Sequence, residues 1–114
     1  MGTPYKYGGM TPKGFDCSGF TQYVMAKNNL QLPRTASQQA TVGQKIKPKK
    51  VKPGDLVFFG SSKNKINHVG IVSKVEGDKI YMIHASSSKG IMETEITTNV
   101  YWSKKMQFIT RVIP

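Results

Sequence analysis

Apolar positions along this chain change their period once, near Pro53. Before it, Phe20, Val24 and Met25 recur at helical spacing, after the glycine-rich stretches Tyr5-Lys6-Tyr7-Gly8-Gly9 and Pro12-Lys13-Gly14, which are turn material. The spacing predicts a helix from about Cys17 to Asn28. A second, short helix is predicted near Ser37 to Val42, capped by Thr35 or Ser37 where the loop through Leu32-Pro33-Arg34 ends. After Pro53 the pattern becomes short apolar runs divided by turn signals, predicting strands near Asp55 to Phe59, His68 to Val75, Lys79 to Ala85, Gly90 to Thr94 and Gln107 to Val112. Pro53-Gly54-Asp55 reads as turn chemistry feeding the first of these, with Asp55 structural, and Gly70 marks a close backbone approach inside a strand. Tyr101-Trp102 reads as aromatic core packing or a short helical turn before the last strand. Helices early, strands late and short links suited to antiparallel pairing give an α+β class, with N-terminal helices packed on a C-terminal antiparallel β-sheet.

Size and charge narrow the picture. A length of 114 residues suits a single domain over residues 1–114, without internal repeats or low-complexity tracts. The longest apolar runs fall well short of the ~20 residues that cross a bilayer, so no transmembrane segment is expected. The formal net charge is +11, with Lys45, Lys47, Lys49, Lys50 and Lys52 clustered before Pro53 and Lys63 and Lys65 in the next loop. Such charge favours a polyanionic partner by long-range attraction that salt screens, although each cluster also reads as a solvated loop. No nucleic-acid motif with stacking aromatics accompanies the lysines, so nucleic acid is not the expected partner.

Candidate chemistry centres on the single cysteine. Cys17 cannot form an internal disulfide, and it stands where the loop gives way to the first helix, inside Gly14-Phe15-Asp16-Cys17-Ser18-Gly19-Phe20. Unpaired N-H groups and the positive end of the macrodipole stabilise a thiolate in a first turn, so the thiol is expected below its usual value of ~8.5. A small buried hydrophobe is the alternative reading of the same residue. Both histidines of the chain lie in strand-like runs, Asn67-His68-Val69-Gly70-Ile71-Val72 and Ile80-Tyr81-Met82-Ile83-His84-Ala85. If those runs pair as antiparallel neighbours across Glu76-Gly77-Asp78, one imidazole can take the thiol proton and the other can orient it. One cysteine and two histidines could instead hold zinc, but that leaves the thiol at the helix start unexplained, and no cofactor or metal is expected.

Several segments together resemble a known family. Gly2-Thr3-Pro4-Tyr5, Tyr7-Gly8-Gly9, Asp16-Cys17-Ser18-Gly19-Phe20, Leu32-Pro33-Arg34-Thr35, Pro53-Gly54-Asp55-Leu56-Val57-Phe58-Phe59, His68-Val69-Gly70-Ile71 and Ile83-His84-Ala85 resemble, in order, the signature blocks of the NlpC family of cell-wall cysteine peptidases. The resemblance implies a papain-like core, with Cys17 as nucleophile, His68 as general base and His84 as the polar residue that orients it. It implies that the Tyr5 hydroxyl joins the Cys17 N-H in the oxyanion hole, and Tyr5 alone also reads as an aromatic turn residue. Asp16 is implied to pair with the free amino end of a peptide, beside the plainer reading as an N-cap bonded near Ser18 and Gly19. Ser18 is implied to meet substrate, or is a good first-turn residue. Family members cut peptidoglycan stem peptides at the amide between the γ-carboxyl of D-glutamate and a diamino acid, leaving an α-carboxylate that Arg34 can grip; the plainer reading has Arg34 tying down its loop.

The expected function is therefore a peptidoglycan hydrolase, a cysteine endopeptidase working through a Cys-His-His triad and a thioester. Two alternatives stand beside it: an amidase or acyltransferase on the same fold acting elsewhere in the wall, and a non-catalytic binder of anionic wall polymers. Expected partners are stem peptides and anionic wall polymers, with the chain a monomer. The expected location is the cell envelope or outside the cell. Met1-Gly2 begins almost on top of the first block, which reads as an excised catalytic piece whose targeting segment lies outside this chain.

Overall fold

In the computed structural model, residues 10–11, 14–86 and 90–112 are described. A small hairpin of β1 (Met10–Thr11) and β2 (Gly14–Phe15) leads into helix α1 (Cys17–Lys27), and α2 (Ala36–Gln39) follows the Arg34 loop. The remaining strands are β3 (Gln44–Ile46), β4 (Leu56–Ser62), β5 (Lys65–Glu76), β6 (Lys79–Ser86), β7 (Gly90–Glu95) and β8 (Met106–Arg111), with helix α3 (Val100–Lys105) before the last. They form one six-stranded antiparallel sheet in the order β3-β8-β4-β5-β6-β7. The α+β class and the antiparallel sheet are as expected. Elements outside that expectation are the β1–β2 hairpin, where only turn material was expected, a 3-10 turn at Pro48–Lys50, β3 at the sheet edge, and a full helix α3 where the sequence offered only a turn or core aromatics.

Local chemistry accounts for the helix ends. Asp16 sits in extended backbone ahead of α1 and its carboxylate accepts from the Gly19 N-H at 2.6 Å, which fills one of the open donors of the first turn. Thr35 begins α2 with a capping box, its hydroxyl accepting from the Gln38 N-H while the Gln38 side chain accepts from the Thr35 N-H. Asn99 caps α3 by accepting from the Trp102 N-H at 3.0 Å.

Strand alternation then divides the core between the two sheet faces. Leu56, Phe58, Val69 and Ile71 turn toward the helices and meet Met25, Leu32 and Ala36. Val57, Phe59, Val72, Met82 and Ile109 fill the opposite face, against which Trp102 of α3 packs. Asp55 is structural: it is 2% exposed, receives two bonds from the Arg111 guanidinium at 2.9 Å and accepts from the Lys52 N-H, tying the turn before β4 to β8.

The ladder between β4 and β5 contains a break that places the site. Phe59 pairs with His68, but its neighbour Gly60 pairs with Ile66, so Asn67 is an extra residue without a cross-strand partner. Gly60 permits the close approach this requires, because a Cβ there would fall 2.0 Å from the Lys65 carbonyl oxygen.

Candidate active site

Cys17 is the first residue of α1, and its thiol reaches the bulge in β5. The sulfur lies 3.9 Å from the Asn67 carbonyl oxygen, and the Val69 N-H also points to it. These are the residues on either side of His68, so α1 delivers the thiol to the backbone that carries the imidazole. The bulge makes this possible, since the carbonyl of an unpaired residue is turned out of the ladder and available to a donor from another layer.

His68 and His84 come together as the sequence predicted. Nε2 of His68 and Nδ1 of His84 are 2.8 Å apart, with the rings edge to face at 88°. Gly70 makes room for this pairing: a Cβ there would stand 3.3 Å from the His84 Cβ and 2.5 Å from the Met82 sulfur. The second nitrogen of His84 lies 3.0 Å from Thr94 Oγ1 on β7. Trp102 of α3 stacks on His68 with centroids 4.8 Å apart and meets His84 edge-on at 5.1 Å, while Phe59 flanks His68 at 5.9 Å.

This apolar casing sets the protonation states. Burial drives the His68 imidazole down to about 3, with the nearby His84 adding to the fall, and burial takes His84 down to about 4. Both rings are neutral near pH 7, the state in which an imidazole can accept a proton. For Cys17 the electrostatics overturn the expectation of a depressed thiol. Burial pushes it up, assisted by the charge of Asp16, and these outweigh the lowering from the N-H groups of Val69, Ser18 and Cys17 itself. A helix start supplies partial charges that lower a thiol, but removing the sulfur from water costs its anion more. The resting pair is therefore thiol and neutral imidazole.

Around the thiol, Asp16, Ser18 and Arg34 form one polar cluster. Arg34 donates to the Asp16 carboxylate at 2.8 Å and to the Ser18 hydroxyl at 2.9 Å, so the side chain read as a carboxylate grip is engaged by the residues beside Cys17. Asp16 is at once the N-cap and the partner of Arg34. Tyr5 lies outside the described residues. Among the described residues no three His, Cys, Asp or Glu side chains converge as metal ligands. Three groups at the site escaped the sequence reading: Asn67, Thr94 and the ring of Trp102 as a histidine neighbour. Only Trp102 left a signal, as an aromatic just before the last strand.

A helix-borne thiol that meets the sheet at the backbone on either side of His68, on an antiparallel sheet that also carries a paired His68 and His84, is the arrangement of a papain-like domain. The chain belongs to the NlpC/P60 family, whose model matches residues 2–111. It is 47% identical to the "Probable endopeptidase NlpC" of Escherichia coli K12, over 97% of this chain and 70% of that protein. It is 42% identical to the "Gamma-DL-glutamyl hydrolase" of Bacillus subtilis 168, over 90% of this chain but 25% of that much longer protein. The crystal structure of the NlpC/p60 domain of peptidoglycan hydrolase SagA superposes with a TM-score of 0.81 at 32% identity, covering 98% of this chain and 89% of that one.

Proposed function

We propose that the chain is a cysteine endopeptidase of peptidoglycan stem peptides, acting on the amide between the γ-carboxyl of D-glutamate and a diamino acid. The observation that carries this reading is His68 held 2.8 Å from His84, with the Cys17 thiol 3.9 Å from the carbonyl oxygen of the adjoining Asn67. In the proposed reaction Sγ of Cys17 attacks the amide carbonyl carbon while its proton passes to His68, which then gives that proton to the departing amine. The product of this half is a thioester. Water attacks it next, His68 takes a proton from the water, and collapse releases the free carboxyl group and returns the thiol. His84 accepts from His68 and stabilises the imidazolium formed along the way. Oxyanion stabilisation falls to the Cys17 N-H together with Tyr5, following the family pattern. Asp16 receives the free amino end of the peptide, competing with Arg34 for the carboxylate, and Ser18 lies beside it as a further hydrogen-bond group.

The name of the Bacillus subtilis relative, a gamma-DL-glutamyl hydrolase, supports the choice of bond, that of the Escherichia coli relative supports an endopeptidase, and that of SagA, a peptidoglycan hydrolase, supports the wall as the setting. No helix among the described residues is long and apolar enough to cross a membrane. We place the activity in the cell envelope or outside the cell, with anionic wall polymers as a second partner for the lysine-rich edge. The test is incubation with defined stem peptides, wild type beside Cys17→Ala, with product masses read out. Cleavage between D-glutamate and the diamino acid, lost in Cys17→Ala, is the expected result. Acyl adducts on a nucleophile other than water would make the chain a transferase, and wall binding without any Cys17-dependent product would make it a binder.

A further inference from the structure

His84 is 1% exposed, so both of its ring nitrogens must find partners inside the protein. Nδ1 faces Nε2 of His68 at 2.8 Å, and Nε2 faces the Thr94 hydroxyl at 3.0 Å. Thr94 is carried by β7, in register with Met82 one strand away, which sets it diagonally across from His84. The two carboxylates that flank it are engaged elsewhere: Glu93 accepts from the Ser73 hydroxyl at 2.6 Å, and Glu95 accepts from the Thr98 N-H and hydroxyl. The hydroxyl is therefore the group that answers the outer nitrogen of His84.

A neutral imidazole carries one proton, and the chain of contacts allows two arrangements. In one, Thr94 donates to Nε2 of His84, which donates through Nδ1 to Nε2 of His68. The His68 proton then sits on Nδ1, and that ring cannot accept another there. In the other, Nε2-H of His84 donates to Thr94, Nδ1 of His84 accepts from Nε2-H of His68, and Nδ1 of His68 is left bare. Nδ1 is the ring nitrogen nearer its own main chain, and the Cys17 sulfur lies 3.9 Å from the main-chain carbonyl oxygen of the adjoining Asn67. Once His68 has taken the thiol proton it holds two N-H groups, and only the second arrangement gives the outer one an acceptor.

We propose that Thr94 is a positioning residue, which accepts from Nε2-H of His84 and so holds both imidazoles in the tautomers that let His68 act as a base. This deepens the peptidase reading and rests on it for its kinetic consequence, but not for its tautomer consequence. Without the hydroxyl, a buried N-H is left unpaired or His84 changes tautomer and turns a donor toward a donor.

The experiment has two arms. In the inactive Cys17→Ala background, nitrogen-15 NMR of the imidazoles reads the tautomers without any turnover. His84 should carry its proton on Nε2 with Thr94 or with Thr94→Ser, and should shift toward Nδ1-H in Thr94→Val. Thr94→Ala serves as the second variant should valine disturb the strand. In the Cys17 enzyme with a defined stem peptide, Thr94→Val should lower kcat by about tenfold or more with KM little changed, and Thr94→Ser should restore it. An unchanged His84 tautomer in both the valine and alanine variants, or an unaltered kcat in both, overturns the proposal. A tautomer shift in a chain that cleaves no stem peptide would uphold the role of Thr94 and sink the peptidase reading instead.

Discussion

At the level of single residues, burial, complete for His84 and partial for Cys17 and His68, favours the uncharged forms of all three. In the proposed reaction a sulfur kept as a thiol is deprotonated during attack, which gives the neutral His68 a step that a preformed ion pair would already have completed. The consequence is a displaced acid limit. An ordinary imidazole stops being a base near 6.5, whereas His68 at about 3 and His84 at about 4 stay neutral well below that. The value of kcat/KM for a stem peptide whose own charge is constant should stay level from neutral pH to about pH 5, where a solvent-exposed imidazole base would already have lost most of its activity. The same shifts act on stability. Both folded values are depressed below the unfolded one, so between about pH 6.5 and 4 the unfolded chain binds protons that the folded chain refuses. Stability should therefore be level above about 6.5 and fall as the pH drops below it, with about two protons taken up on unfolding near pH 5, one per ring. Calorimetry in buffers of different ionisation heat measures that number directly, and an uptake near zero would show that the rings are open to water.

At the level of elements, α3 is what encloses the pair of rings. Its Trp102 touches Phe59, His68 and His84 at once, with centroids 4.9, 4.8 and 5.1 Å away. Replacing Trp102 by alanine should admit water to both imidazoles and move the acid limb of kcat/KM up toward 6.5, at a stability cost of roughly 2 kcal/mol for a half-buried ring. Trp102→Phe should keep most of the wild-type profile. A limb that stays low in Trp102→Ala would assign the shift to some other part of the casing. Little of this was legible beforehand, because α3 has no apolar stripe: Val100 and Tyr101 are exposed and only Trp102 turns inward. The edge strand β3 was hidden for a similar reason, since Gln44-Lys45-Ile46 holds one apolar residue and no alternation to read. By contrast α1 and the strands from β4 to β8 were legible to within a few residues, because each buries a periodic set of side chains. The approach of the two histidines was legible from the tight turn at Glu76-Gly77-Asp78 joining their strands. The bulge at Asn67 and the bond to Thr94 are products of register, which a single sequence does not display. The thiol was misread because its helix-end charge shows in sequence and its burial does not.

For the molecule as a whole, acidic and basic side chains are divided between opposite edges of the sheet. Of the acidic residues, Asp16 and Asp55 are paired with Arg34 and Arg111, while Glu76, Asp78, Glu93 and Glu95 all belong to the segment from the end of β5 to the end of β7. The opposite edge strand β3 and the turn after it carry Lys45, Lys47, Lys49 and Lys50. Across a cleft of about 560 Å³, Lys45 is joined by Lys63, with Ser37, Thr41 and Asn64 among the other lining residues and no acidic side chain among them. Such an edge attracts a phosphate-bearing polymer over roughly 10 Å at moderate salt, and the attraction weakens as salt shortens that distance. Replacing Lys45, Lys47, Lys49 and Lys50 together by glutamine should release the protein from whole wall sacculi at a lower salt concentration than wild type. Cleavage of a short soluble stem peptide should be unaffected, because none of the four touches Cys17 or either histidine. Sacculi stripped of their phosphate polymers supply the control: wild type and variant should then bind alike. If the lysine variant loses peptide cleavage as well, the basic edge is part of the cutting groove; if it binds intact sacculi as tightly as wild type, the edge is a solvated surface with no partner in the wall.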